Sequence, residues 1–590
     1  MSDGGSDRVE TRGWLAPSRV GVGLAQGVAL FGLYQCSQIK VWPATAPALY
    51  WPLVLLAAFW PVLVLGGLGA VRRRTLIVWS ALAGALILGL AAYDIWRQAS
   101  GSPPSLSPEA AVAIAAALFI GHHLVAGGDA ERRWIASYPT YYDVAWKSVV
   151  QLALSGLFTG AFWALLALGA ALFKLIGVSG FQDVIQKAWF AFPATGLMFA
   201  LAVHLTDARA NLTRGVRTIG LALLSWLMPL MAAIVAAFVI ALPFTGLGPL
   251  WKTGAAANVL LAAAGALIVL LNAAYHDGAP ERRPVAALRW AGRGAAILIL
   301  PLVLIAAYGV LLRVGQYGWT PQRIIALACA LVGACYGGGY VWAAVSRGPW
   351  LKRIERTNLV AAFVVLGVIV ALFSPILDPA RISVGDQVGR LVSGRTSPDQ
   401  FDFRFLRFGG QRFGQAALRD LQARRSGPNA APIAQKAQAA QKPDFARQAP
   451  GTASGPLAAG LTVYPKGKSL PRTFLAQRWE DAREQSVVGP CIAIDQACDG
   501  FLADMDGDGA EEVLLADDSS LWVYKAGVDG IWAPVGTVEP MSAELRKQLE
   551  AGLVPVAPQW KDLAVGGRRL LFIPDDAART RLTPLKVVVK

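Results

Sequence analysis

The feature that most constrains this chain is a series of apolar, nearly charge-free runs that fills it up to about residue 377. Each run has about the twenty residues that a helix needs to cross a hydrocarbon core. Eleven candidate spans follow: Val20–Gln38, Pro47–Ala70, Thr75–Trp96, Pro108–Ala126, Ser148–Ile176, Ala188–Leu205, Thr218–Leu242, Ala255–Tyr275, Gly294–Leu312, Ile324–Ala344 and Leu359–Leu377. The fifth and seventh are long and must tilt or emerge at one side. Beyond the last span charge, Pro, Gln and Gly return, so the chain joins two different materials. The fold class expected is a polytopic α-helical membrane bundle of eleven transmembrane helices, followed by a small, mainly β (α+β) soluble domain.

The formal net charge of +16 invites a nucleic-acid reading. The placement of the Lys and Arg residues argues against it. Numbering the loops alternately, the odd set carries Arg8, Arg12 and Arg19, then Arg72–Arg74, then Arg132, Arg133 and Lys147. It continues with Arg209, Arg214 and Arg217, then Arg282, Arg283, Arg289 and Arg293, then Arg347, Lys352, Arg353 and Arg356. The even set holds only Lys40, Arg97, Lys174, Lys187, Lys252, Arg313 and Arg323. A missed or invented span would scramble this alternation downstream of itself. The positive-inside rule then places the N-terminus in the cytoplasm and everything after Leu377 on the far side. The partner implied is the lipid bilayer, with no nucleic acid. The polar start, Met1 to Arg19, shows no clear cleavage site after the first run and reads as a retained signal anchor.

Five regions result. Residues 1–19 form a cytoplasmic tail, 20–377 the helical domain, 378–425 a juxtamembrane segment on the far side, 426–456 a flexible linker rich in Ala, Gln and Pro, and 457–590 an α+β domain. Ser542–Gly552 is the clearest helix candidate of the last region. Cys491 and Cys498 are its only cysteines. In an oxidising space a disulfide between them is expected, with two buried free thiols as the other reading.

Transporters and proton pumps carry ionisable groups at mid-membrane depth, and these spans hold almost none. Of the four histidines, His122 and His123 are the best functional candidates, because a His pair in an apolar run is costly unless partnered. Being adjacent, they point to different faces of a helix and do not share a metal ion. The plainer expectation is that one of them hydrogen-bonds to a neighbouring helix. Asp94, Asp143, Asp207 and Asp277 lie near span ends, within reach of water. The run Gly333-Ala-Cys-Tyr-Gly-Gly-Gly339 reads as close helix packing before it reads as a pore.

Two segments are richer than topology requires: Tyr138-Pro-Thr-Tyr-Tyr-Asp-Val-Ala-Trp-Lys147 at the cytoplasmic entry to the fifth span, and Gln316-Tyr-Gly-Trp-Thr-Pro-Gln-Arg323 on the far side. In the second, Thr320 caps and Pro321 opens a helix. With Asp378-Pro-Ala-Arg-Ile-Ser-Val and Gln400-Phe-Asp-Phe-Arg-Phe-Leu406 beyond the last span, these segments resemble a family of bacterial inner-membrane proteins, the domain of unknown function 4153 (DUF4153), over roughly residues 20 to 425. The resemblance implies inner-membrane placement and carries no catalytic residue across.

The sharpest motif is Asp504-Met-Asp-Gly-Asp-Gly-Ala-Glu-Glu-Val-Leu-Leu515. Asp504, Asp506 and Asp508 alternate, Gly509 permits a sharp turn, and the Ala510 carbonyl with the Glu512 carboxylate completes an oxygen shell for Ca2+. An EF-hand needs an acid where Leu515 stands. Strands follow at Val513–Ala516 and Leu521–Tyr524, so the loop resembles the calcium-binding hairpins of FG-GAP-type β repeats. A single copy excludes a full propeller. The alternative is an acidic turn that binds nothing.

Three functions are consistent with these residues. The first is a non-enzymatic envelope protein whose bundle anchors a calcium-stabilised periplasmic module that contacts an envelope protein partner. The others are a transporter or channel, and a membrane enzyme acting on a lipid or lipid-linked substrate. No nucleophile–base pair or metal triad supports the last, and no broken-helix repeat supports the second. The first is the expectation carried forward.

Overall fold

The computed structural model describes residues 14–99, 104–176, 178, 180–208, 210–248, 250, 255–278, 285–347 and 349–441, and then 461–464, 468–477, 479, 492, 498–516, 520–527, 530–538, 549, 563–565 and 568–570. The chain divides into two compact units, Met1–Gln441 and Lys442–Lys590.

Eleven helices of the first unit are long and apolar enough to cross a membrane. They are α1 (Leu15–Gln38), α2 (Pro47–Gly67), α3 (Arg73–Arg97), α4 (Pro108–Glu131), α5 (Tyr138–Leu175), α7 (Ala188–Ala208), α8 (Ala210–Thr245), α9 (Ala256–Tyr275), α10 (Ala286–Tyr317), α11 (Pro321–Val345) and α12 (Ile354–Leu372). A short α6 (Gly180–Gln186) lies between the fifth and sixth spans. The protein is thus a multi-pass membrane protein, and each expected span coincides with one helix. The α10 helix has 32 residues, well beyond the run Gly294–Leu312 that hydropathy marks, because helical backbone continues past the apolar stretch at both ends.

The starts follow local chemistry. Ser107 accepts a hydrogen bond from Ala110 N (3.3 Å) ahead of Pro108, and Thr320 accepts one from Arg323 N (3.4 Å) ahead of Pro321. Each cap satisfies an orphan N–H, and the proline sits where no N–H is needed.

With little hydrophobic drive between helices in lipid, small residues set the packing. The backbones of α1 and α7 touch: a Cβ built on Gly196 would lie 2.2 Å from Gly23 O, and one on Gly27 would lie 2.4 Å from Phe192 O. In the run expected to pack closely, a Cβ on Gly337 would meet the Leu300 backbone of α10 at 3.0 Å. Gly339 faces Thr357 of α12 instead.

The chain continues as α13 (Pro379–Val392), a π-helical turn (Phe405–Gly409), α14 (Gln411–Gln422) and α15 (Ala430–Ala440). The last corrects the sequence reading, which has a structureless linker from residue 426. Ile433, Ala437 and Ala440 are fully buried, and α15 packs on α14. Alanine dominates this stretch, and alanine supplies both helix propensity and a face flat enough to bury.

Asp94 differs from the interfacial reading because it is buried, and Asp378 is buried as well. Asp94 accepts hydrogen bonds from Ser107 N (2.9 Å) and pairs with Arg97 (3.0 Å). Asp378 caps α13, accepting from Ala380 N (2.8 Å) and Arg381 N (3.0 Å), and takes the Tyr93 hydroxyl (2.9 Å) on its other oxygen. The Gln316–Arg323 segment is held by α13 as well, through Trp319 N to Asp386 Oδ2 (2.8 Å) and Gln387 Nε2 to Tyr317 O (2.9 Å).

The second unit is a five-stranded sheet in the order β1 (Leu461–Val463), β2 (Cys498–Ala503), β3 (Glu512–Ala516), β4 (Leu521–Ala526), β5 (Trp532–Val538), with α16 (Arg472–Ala476) beside it. The first pair is parallel and the rest form an antiparallel meander. A separate pair joins β6 (Leu563–Val565) and β7 (Arg568–Leu570). Every residue of β3 is buried. Val513 and Leu515 pack with Phe474, Trp479, Tyr524 and Trp532 on one face; Leu514 and Ala516 pack with Phe501 and Val523 on the other. A sheet covered on both faces explains why β3 reads as a continuous apolar run rather than an alternation. Cys498 is buried and disulfide-bonded. Its expected partner Cys491 lies outside the described residues, as does the expected helix Ser542–Gly552 apart from Leu549.

Candidate functional site

Two places in the chain concentrate chemistry. The first is inside the helical unit, around α4. His122 and His123 lie near the middle of that helix, and their rings meet edge to face with centroids 5.5 Å apart. They diverge as adjacent helical residues must. His122 faces α2: a Cβ on Gly66 would lie 3.6 Å from His122 Nε2. His123 is buried, and its Nδ1 is bonded to Phe119 O of its own helix, not to a neighbour as expected. His122 Nδ1 and His123 Nε2 are buried without a hydrogen-bond partner among the described residues. Two cavities of about 280 and about 260 Å³ adjoin this pair, and His123 lines both.

Along the second cavity runs a polar network that sequence reasoning missed. Asn272 Nδ2 donates to the Tyr340 hydroxyl (2.7 Å), which donates to Asn358 Oδ1 (2.6 Å); Asn358 Nδ2 donates back to Asn272 Oδ1 (2.6 Å). The Tyr138 hydroxyl completes the group at 3.4 Å from both asparagines. Nearby, Tyr275 donates to Glu355 (2.8 Å), which also pairs with Lys352 (2.7 Å). Helices α5, α9, α11 and α12 are thereby tied at one point. The available signal was Asn272 within the run Ala255–Tyr275 and Asn358 directly before Leu359–Leu377, an amide placement that is costly in lipid unless partnered. Asn358→Leu breaks the ring and leaves the buried Tyr340 hydroxyl and the half-buried Asn272 amide short of partners. The expected loss is on the order of 1–2 kcal/mol, read by denaturant unfolding in mixed micelles, with Asn358→Asp largely retaining the acceptor.

The second place is the acidic loop between β2 and β3. Gly507 and Gly509 take positive φ (77° and 87°), which lets the backbone fold over the carboxylates. Asp504 accepts from Gly507 N (2.7 Å) and Gly509 N (3.0 Å), so it staples the loop. Oxygens of Asp504, Asp506 and Glu512 lie within 4.8 Å of one another. Asp508 accepts from Ala510 N (2.8 Å) and joins the group through a residue that the sequence reading did not weigh. Lys525, on β4, places its Nζ 2.6 Å from Asp506 Oδ2 and 3.0 Å from Glu512 Oε1, and also bonds Asp508 Oδ2. A lone charge in the strand Leu521-Trp-Val-Tyr-Lys-Ala526 was the signal for it.

These contacts shift both charges. Hydrogen bonds from Lys525 and from Ala510 N hold the Asp508 carboxyl below its ordinary range. The carboxylates of Asp506, Asp508 and Glu512 push the Lys525 ammonium above its ordinary value. A lowered carboxyl stabilises the fold above its unfolded value, about pH 4, and loses that contribution as pH falls through the lowered one. A raised ammonium stabilises below its unfolded value, about pH 10.4, and loses that contribution as pH rises through the raised one. In the absence of added cations, proteolytic resistance of this unit is expected to be flat between these limits. In Lys525→Ala it is expected to drop across the whole plateau, because the buried Glu512 then keeps Asp506 and Asp508 beside it without a counter-charge.

No curated protein and no solved structure matches the chain. The match that does occur is to a family model described as a domain of unknown function, DUF4153, over residues 53–421. It takes in the helices from α2 to α14 with the segments Tyr138–Lys147 and Gln316–Arg323, and stops before the β unit. A match over more than half of its length makes this chain a member of the DUF4153 family.

Proposed function

We propose that this chain is a non-enzymatic protein of the bacterial inner membrane. Its helical unit anchors a folded module on the periplasmic side, and the module binds another envelope protein. The observation that carries the proposal is the division into two compact units, with all eleven spans in the first. An odd number of crossings separates the two ends of the bundle across the bilayer. The Lys and Arg alternation favours the orientation with the N-terminus in the cytoplasm.

Calcium is proposed to stabilise the module at the acidic loop. Asp504, Asp506 and Glu512 offer convergent oxygens, Asp508 lies beside them, and the Ala510 carbonyl is the remaining ligand. Hard cations take such oxygen sets. The ion must displace Lys525, so this lysine partly neutralises the loop without calcium and tunes the affinity downward. Pulse proteolysis of the full chain in detergent tests this. Calcium is expected to protect β2 to β5 relative to chelator, Asp506→Ala to abolish the effect, and Lys525→Ala to enlarge it. Equal cleavage with calcium and chelator in the parent protein and in Lys525→Ala would leave the loop as a lysine-closed turn.

A further inference from the structure

We propose that the cavity beside His123 binds a single-chain lipid whose head is an uncharged hydrogen-bond donor, a hydroxyl or a protonated carboxyl. Three observations lead there. First, a backbone carbonyl only accepts hydrogen bonds, so the contact with Phe119 O assigns the proton to His123 Nδ1. In an uncharged ring Nε2 is then a bare acceptor, and it is buried with no partner among the described residues. A buried acceptor left unmatched costs free energy that a donor from a ligand recovers.

Second, the wall decides what else the ligand has. Phe59, Leu63, Leu118, Phe119 and Leu152 supply an apolar lining, and no charged residue contributes to it. Of the other polar side chains, Ser148 Oγ donates to Val144 O (3.0 Å) and Gln151 Nε2 to Val203 O (3.0 Å), while His122 Nδ1 has no hydrogen-bond partner among the described residues. A phosphate head would find no Lys or Arg, whereas an uncharged donor would find a bare imidazole nitrogen.

Third, size and position restrict the body. About 280 Å³ lies near the lower edge of small-molecule sites, enough for a head and the first part of one chain but not for a phospholipid. Leu152, part of this wall, is exposed on the membrane-crossing helix α5, so the cavity opens toward hydrocarbon rather than toward water. A ligand entering from the bilayer would keep its tail there.

The test is photolabelling of the purified full chain in lipid nanodiscs. The probes are a diazirine-bearing hexadecanol, the matching hexadecanoic acid, and the hexadecyl methyl ether as a control that cannot donate. Sites are mapped by mass spectrometry. The expected result is saturable labelling on α2, α4 and α5 around the cavity by the alcohol, the acid or both, and about tenfold less by the ether, the effect of one buried hydrogen bond. The alcohol and acid arms distinguish the two heads. His123→Phe is expected to reduce donor labelling to the level of the ether. Ala115→Phe, which fills the cavity and keeps both imidazoles in the chain, is expected to remove labelling by all three probes. Non-saturable labelling spread over the lipid-facing helices, or equal labelling by ether and donors in the parent protein, would overturn the proposal whether or not the variants fold.

Discussion

Replacing Asp378 by alanine is expected to lower the stability of the helical unit by about 3–5 kcal/mol, the cost of breaking a buried, hydrogen-bonded charge pair. Asp378 is fully buried, and three structures meet at its carboxylate. One oxygen caps α13, so its loss orphans two N–H groups at a helix start. The other accepts from Tyr93 and lies 3.6 Å from Arg97, which is itself paired with Asp94. The end of α3, the start of α4 and the start of α13 therefore depend on one network, and α13 in turn holds the loop Gln316–Arg323. Asp378→Asn keeps an acceptor for the cap but removes the charge opposite Arg97, so it is expected to cost less than the alanine. Denaturant unfolding in mixed micelles gives the magnitude. Early cleavage near residues 393–400 in Asp378→Ala would show that α13 is released first.

Gly196→Leu is the second large effect. The α1 and α7 backbones already touch at Gly23 and Gly196, where a Cβ would sit 2.2 Å from a carbonyl oxygen. No rotamer relieves a clash with backbone, so the helices must part and forfeit the contacts at Gly27 and Ala200 as well. The expected cost is at least about 3 kcal/mol, the upper part of the range for overpacked sites. Gly32, also on α1, has nothing within 4 Å of its Cβ position. Gly32→Ala is therefore expected to be neutral or slightly stabilising, by up to about 1 kcal/mol, since glycine is the poorer helix former. Unfolding midpoints of the two variants measured side by side separate close approach from helix propensity. A similar fall in both would point to α1 itself rather than to its contact with α7.

The spans were legible because hydropathy acts on single segments: lipid imposes length and composition on each helix without reference to its neighbours. The helix start at Thr320 was legible for the same reason, as a cap followed by proline; Ser107 and Asp378 open their helices with the same local chemistry, which the sequence reading did not single out. What depended on distant partners was not. Asn272, Tyr340 and Asn358 come from three helices, and nothing in the order of residues says that they meet. Asp94 looked interfacial because it stands near the end of a run, yet its burial depends on Ser107 and Arg97 closing over it. The segment after residue 426 read as linker because it lacks large apolar residues. It folds because small alanines suffice where α14 supplies the larger surface, through Leu418 and Leu421. At the acidic loop the carboxylates were recognisable from spacing, while Lys525 reaches them only through the pairing of β3 with β4.

In the proposed topology one chain holds its two ends on opposite sides of the inner membrane, with the β unit outside the cytoplasm. Protease protection of a doubly tagged chain measures this most directly, with one epitope ahead of Met1 and another after Lys590. The predicted result is that protease added to intact spheroplasts removes the C-terminal epitope and spares the N-terminal one, while inside-out vesicles give the reverse. Loss or protection of both epitopes together, or the opposite order, would contradict the account.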